Sequence, residues 1–325
     1  MGEPNQSDSL GVLATTRHVV DLATGVRINA PATEALAQQI ARHDLTPAVW
    51  DRALHWSGAP EATANYILVL DSLNFCFWGE PRWIVTYQGR RYNGYAALAA
   101  ALTRALEHHH PLTDAGYLAQ IDESELATIL AGEAPIPLLT ERVENLREVG
   151  RVLQAHYDGQ FGNLIRESGG SAVELVRRVV DAFPSFRDVA TYTGAEVHFY
   201  KRAQILASDL HGAFDGKGLG TFHDLDQLTA FADYKVPQVL RELGVLRYSA
   251  ELSALVDARV ELAPGSLFEV EIRAATIWAV EELRRALRQR DIDLPAYQLD
   301  WTLWQFGQDL PATTHPYHRT RTIFY

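Results

Sequence analysis

Three lysines are the whole lysine complement of this 325-residue chain, and all three fall within one 35-residue stretch: Lys201, Lys217 and Lys235. The other 26 basic residues are arginines spread along the sequence. A compact ammonium on a flexible stem can do what a planar guanidinium cannot, so lysines retained in an arginine-rich chain draw attention. Lys201 lies in HFYKRAQ (198–204) and Lys235 in FADYKVPQ (231–238), each mixing a cation with aromatic and polar side chains. Such segments suit an anionic ligand, and they also suit amphipathic helices with solvated charge and buried rings. Two further segments set polar groups among aromatics. DSLNFCFWGEPRW (71–83) puts four rings around Asn74 and Cys76, and LDWTLWQFG (299–307) puts three around Asp300. Rings at helical spacing commonly pack a core. An amide or carboxylate wedged among them must nevertheless find a hydrogen-bond partner or suffer desolvation, and such carboxylates are often functional. The terminal HPYHRTRTIFY alternates polar and bulky residues to its end, which reads as a tucked-in terminus able to bring His318, Arg319 and Arg321 to a pocket.

Other signatures fail on spacing. GAFDGKGLG (212–220) has its glycines one residue too close for a Walker A loop, Gly218 follows the lysine, and the preceding run is helical in pattern, so it reads as a flexible loop. His108 to His110 point in different directions on any regular backbone and read as a solvated helix end. H-E-x-x-H, G-x-S-x-G and G-x-G-x-x-G are absent. A single cysteine, Cys76, permits no intramolecular disulfide and no cysteine-rich metal site, which makes a reducing cytoplasm the expected setting. No metal is expected.

The elements that must position these residues are mostly helical. Trp83 to Tyr87, Gln88-Gly89 and RRYNGY together predict a β-hairpin with a glycine-assisted turn. From about Glu141 the apolar spacing turns to threes and fours: Val143, Leu146, Val149, Leu153 and His156 on one face, then Val173, Leu175, Val176 and Val179 on another. Ser266 and Glu269 spell a capping box opening a helix whose Phe268, Ile272, Ile277, Val280 and Leu283 suit burial. The expected organisation is a flexible tail (1–10), a mixed helical and hairpin part (11–140) and a helical part (141–325), with the active site between the last two. The fold class is mainly α (α+β) with a small antiparallel hairpin in the N-terminal half.

Composition bounds the partners. With 47% hydrophobic and 22% charged residues the chain is globular, and its net charge of -12 argues against duplex nucleic acid, whose binders usually present a basic face. A small phosphorylated ligand needs only a few local cations. The first ten residues lack a signal-peptide core, and no apolar run approaches the roughly 18 residues of a membrane helix. A monomer without membrane contact is the expectation.

Together, DSLNFCFW, YKRAQILASDL, FADYKVPQVLRELGVL and DWTLW resemble the queuosine 5'-phosphate N-glycosylase/hydrolase family of queuosine salvage proteins, from about residue 45 to the C-terminus. The resemblance implies an architecture like the helical DNA glycosylases and release of the base queuine from queuosine 5'-monophosphate without metal or organic cofactor. One departure stands out: LRELGVLRYS has a single Gly244 where a helix-hairpin-helix usually holds DNA phosphate with paired glycines. N-glycosidic cleavage builds positive charge on the sugar, so a carboxylate beneath the anomeric carbon that also orients water is the central requirement. Asp233 and Asp300, each inside a matching motif, are the candidates for that role. A 7-deazapurine has no N7 to protonate, so hydrogen bonds at its carbonyl and pyrimidine edge must stabilise the leaving base. Asp71, Asn74, Gln204 and Gln238 are candidates to read that edge, and Phe75, Trp78, Phe231 or Trp301 to stack on it. Lys235, Lys201, Arg202 and His198 are nominated for the 5'-phosphate, with His318 and Arg319 held in reserve. Arg202 reads equally well as a structural ion-pair partner. The rival readings are a non-catalytic modified-nucleoside binding protein and a base-excision glycosylase acting on a polymer.

Overall fold

The computed structural model describes residues 8–42, 50–308, 310–311 and 313–325. Helices dominate the described residues, and the β structure consists of three two-stranded antiparallel sheets, so the chain is mainly α with a small β component. Contacts group it into two units: Met1–Ala48 with Asp188–Lys201 and Asp224–Arg321, and Val49–Arg187 with Arg202–His223 and Thr322–Tyr325. Each unit draws on separated stretches of sequence, which no shift of composition along the chain marks. No helix among the described residues is long and apolar enough to cross a membrane.

The first unit is organised around one helix, Leu267–Arg288, buried along nearly its whole length and on all sides. Its apolar residues join a core that includes Val26, Leu36, Val236, Leu240, Leu299 and Leu303. Ile272, Ile277, Val280 and Leu283 are buried as expected, while Phe268 is only partly so. The capping box is not formed. Ser266 occupies the N-cap without a side-chain cap bond, and the Glu269 carboxylate reaches back to accept from the Gly265 N–H (3.0 Å). Glu269, Glu271, Arg273, Glu281 and Arg284 are buried on this helix, a placement that demands partners. Glu271, for instance, accepts from Gly25 N (2.6 Å) and Tyr192 Oη (2.9 Å).

Two of the small sheets belong to this unit. Val26–Ile28 pairs antiparallel with Leu246–Tyr248, and Val189–Tyr192 forms a hairpin with Ala195–His198. The hairpin turns at Thr193-Gly194, both at positive φ, the geometry that matches strand twist in two-residue loops. The stretch was expected to be helical; the local signal that marks the turn, a Thr-Gly pair between alternating residues, is weaker than the Gln88-Gly89 pair. Of the tail expected at 1–10, residues 1–7 lie outside the described residues. Asp8 caps the Val12–Leu22 helix by accepting from Leu13 N and Ala14 N, and Leu10 is buried.

In the second unit the expected hairpin is present, Ile84–Tyr87 against Arg90–Asn93, turning at Gln88 and Gly89. Val143, Leu146, Val149 and Leu153 are buried on the Leu139–His156 helix, whereas His156 is exposed at its end. His108 caps the Gly94–Glu107 helix and His109 is solvated, as their positions suggested. The Pro60–Ser72 helix is buried over its last ten residues and delivers Asp71 at its C-terminal turn.

Candidate active site

The FADYKVPQ segment runs irregularly from Phe231 and enters the Lys235–Glu242 helix. Asp233 sits just before that helix, and its Oδ1 accepts from Lys235 N (2.9 Å) and Val236 N (2.8 Å). These are two of the amide groups a helix start leaves without intrahelical partners. The Ala296–Gln308 helix presents Asp300, whose Oδ1 accepts from Phe231 N (2.9 Å). Both carboxyls are thus anchored to the same stretch, and both are buried.

Their environments differ in a way that sorts their protonation. Burial raises Asp233 above the usual carboxylate range, opposed by Lys201, by the two helix amides and by Lys235. Burial raises Asp300 much further, and the Asp233 charge adds to that rise; the Phe231 amide and Lys201 oppose it only in part. Like charges in one buried site do not both ionise readily, so the pair gives up its first proton more readily at Asp233 than at Asp300. Lys201, the first residue of the Lys201–Ala213 helix, is buried and acts on both carboxyls.

Around this centre, Lys235 Nζ donates to Gln238 Oε1 (3.2 Å) and to the Gly307 carbonyl (3.1 Å), and Gln238 Nε2 donates to the His315 carbonyl (2.7 Å). Phe231 is buried, and half-buried Trp301 meets Tyr297 edge-on at 5.7 Å. His318 is buried, and its imidazole is pushed down to about 3 by burial and then by the Arg273 charge, so it is neutral at any ordinary pH. His198 stands apart from these groups in its contacts. Its ring bonds the Leu10 carbonyl (3.3 Å) and the Glu196 carboxylate (2.8 Å), and it stacks on Tyr200.

The remaining nominated residues lie in the second unit and chiefly show how its DSLNFCFW segment is held. Asp71, Asn74, Phe75, Trp78 and Gln204 are all buried, and Asn74 Nδ2 reaches Asp71 Oδ1 at 3.4 Å. The segment follows a helix C-terminus, where carbonyls lack intrahelical donors. Arg202 Nη1 donates to the Asp71 (3.0 Å) and Ser72 (2.7 Å) carbonyls and Nη2 to that of Ser185. Arg142 does the same for Leu73, Phe75 (2.6 Å) and Cys76 (3.1 Å), while lying over the Phe75 ring. These Arg202 bonds are to main-chain carbonyls. Composition gave no warning of Arg142, which belongs to no aromatic-rich segment. Asp188 and Arg273, described below, were equally silent.

The chain is similar to known proteins along nearly its whole length. Residues 54–325 match the family described as queuosine salvage protein. A Sphaerobacter thermophilus protein named queuosine 5'-phosphate N-glycosylase/hydrolase is 61% identical over 325 residues, covering all of both chains. Proteins of the same name from Mus musculus (37% identical; 93% of this chain and 91% of the relative) and Dictyostelium discoideum (38%; 97% and 98%) align nearly end to end. With its four motifs placed on a buried carboxylate centre and a tightly capped helix end, and with relatives matching along its length, this chain belongs to the queuosine salvage protein family.

Proposed function

We propose that the chain is a hydrolase that cleaves the N-glycosidic bond of queuosine 5'-monophosphate and releases queuine. The observation that carries the reading is the buried Asp233 and Asp300 pair beside Lys201, in a chain whose relatives are named for that reaction. Ionised Asp233 is the group to stabilise the oxocarbenium-like sugar and to orient the attacking water, in a dry site where its charge acts strongly. Asp300, keeping its proton, can donate a hydrogen bond where an ionised carboxylate could only accept. Lys201 opposes the rise that burial imposes on Asp233, favouring its ionised form. The departing 7-deazapurine leaves with charge developing on its base, to be met by hydrogen bonds at the carbonyl and pyrimidine edge. Lys235, half-buried and donating to the Gln238 amide oxygen and the Gly307 carbonyl, is the candidate for the 5'-phosphate.

The experiment is direct. The purified protein is incubated with queuosine 5'-monophosphate, queuosine and a queuosine-bearing oligonucleotide, and free queuine is followed by mass spectrometry. Release from the monophosphate is expected to exceed release from the nucleoside, because contacts to a remote phosphate can hold the ribose in its reactive geometry. Release from the oligonucleotide alone would point to a polymer-directed glycosylase, and binding without release would make the chain a passive carrier.

A further inference from the structure

We propose that a buried pair, Asp188 and Arg273, is the positioning device that sets Lys201 against Asp233. The inference rests on the catalytic reading above and extends it to residues outside every motif of the chain. Asp188 precedes the Val189–Tyr192 strand and Arg273 lies on the long buried helix. Their contact is bidentate, Nη1 to Oδ1 at 3.0 Å and Nη2 to Oδ2 at 2.5 Å, with both side chains almost inaccessible. Each partner also holds main chain next to a site residue. Asp188 Oδ2 accepts the Lys201 N–H (3.2 Å), and the Asp188 carbonyl accepts from Phe199 N (3.0 Å) and Tyr200 N (3.1 Å). Tyr200 lies at φ +49°, a strained value for a tyrosine that these bonds help to hold. On the other side, Arg273 Nε donates to the carbonyl of Ala232 (3.1 Å), the residue before Asp233, and the guanidinium lies over the Phe199 ring at 3.9 Å. One ion pair therefore fixes the backbone of the cation and the backbone of the carboxylate it serves. Glu269 lies 3.6 Å from Arg273 and adds a second carboxylate to its surroundings.

Burial alone does not prove a positioning role, since breaking any buried pair destabilises a fold. The test must therefore move a quantity that stability does not. Arg273→Lys keeps the charge but loses the fork and the bond to Ala232. In folded Arg273→Lys, kcat on queuosine 5'-monophosphate is expected to fall by about tenfold to a hundredfold, with KM within about threefold, as for a small misplacement of a reacting group. The charged groups facing Asp233 are Lys201 and Lys235, and its titratable neighbour is Asp300. With Lys201 displaced, Asp233 holds its proton more tightly, so the acid limb of the kcat profile should move to higher pH. Independently of turnover, the Lys235 and Val236 amides should lose hydrogen-exchange protection beyond any global loss.

Unchanged kcat, an unmoved acid limb and unchanged local protection in the folded variant would overturn the proposal. If Arg273→Lys does not fold, Asp188→Asn carries the same measurements, and failure of both to fold would assign the pair to the fold rather than to the site. A wild-type protein that releases no base would sink the catalytic reading alone, because the exchange measurement reports the positioning of Asp233 without any turnover.

Discussion

Asp233 and Asp300 show how two identical side chains acquire different chemistry from what surrounds them. Asp233 takes two amide hydrogen bonds and faces Lys201 and Lys235, whereas Asp300 takes one and faces a neighbouring carboxylate. The near-isosteric amides test the assignment with little disturbance of packing. Asp233→Asn should keep its fold and lose base release by about two decades or more, the scale seen when a charge aimed at a transition state is removed. Asp300→Asn replaces a protonated, uncharged carboxyl with a neutral amide, so any residual activity should keep its acid limb close to the wild-type position, set by burial and by Lys201 and Lys235 around Asp233. Thermal melts beside the kinetics separate catalytic from structural loss; near-wild-type turnover in both variants would disprove the carboxylate assignment. The burial of these two aspartates was legible in the sequence because each lies among aromatics in a distinctive motif. Asp188 and Arg273 were not, because a buried ion pair closed across 85 positions of chain leaves no local pattern.

At the scale of elements, the DSLNFCFW segment shows a motif whose polar demands are met by distant arginines. The helix Pro60–Ser72 ends in a buried turn; its Asp71 and Ser72 carbonyls are capped by Arg202, that of Ser72 also by Asn145 (2.9 Å), while Arg142 caps the Leu73, Phe75 and Cys76 carbonyls just beyond it. Cations are favourable at a helix C-terminus, and here they also supply directional donors. Arg142→Leu would leave carbonyls of Leu73, Phe75, Cys76 and Pro137 short of donors. At about 1 to 3 kcal/mol for each buried group left unsatisfied, a loss of at least about 3 kcal/mol is expected in urea unfolding. Wild-type stability in that variant would contradict the capping role. Glycines supply a second comparison. A Cβ at Gly150 would stand 2.2 Å from Ala119 N and 2.6 Å from Ala115 O, where the Leu139–His156 helix meets its short neighbour, whereas Gly89 at φ +75° has open space around it. Gly89→Ala should cost about 1 to 2 kcal/mol from backbone strain alone. Gly150→Ala forces main chain apart and should cost more, about 3 kcal/mol or beyond, by the same denaturation measurement. The hairpin at Gly89 was readable because turn chemistry is local. The need for Gly150 was not, because its reason is another helix 31 positions away.

For the molecule as a whole, acidity is the property that composition and structure treat differently. The net charge of -12 sums every formal charge of the chain, yet the displaced carboxyls and imidazole of the candidate site are buried and pull stability in opposite directions with pH. His318 in the folded chain is pushed down to about 3 from an ordinary 6.5. Between those values the unfolded chain binds more protons at this position than the folded one, so stability rises with pH there and is lost progressively on acidification. Asp233 and Asp300 are raised instead; the folded state holds their protons longer, so their contribution is present at low pH and fades as pH climbs through their folded values. A plain acid melt mixes the two effects, and a variant separates them. His318→Gln removes only the histidine's linkage, which amounts to at most about 1.4 kcal/mol per pH unit. Whatever its stability at pH 7, this variant should show a shallower loss of unfolding free energy than the wild type between about pH 6 and pH 4, measured by urea titration at fixed pH intervals. Parallel slopes for the two proteins would mean that His318 takes up its proton in the folded state at an ordinary pH, and that the buried neutral imidazole beside Arg273 is the wrong description of this end of the chain.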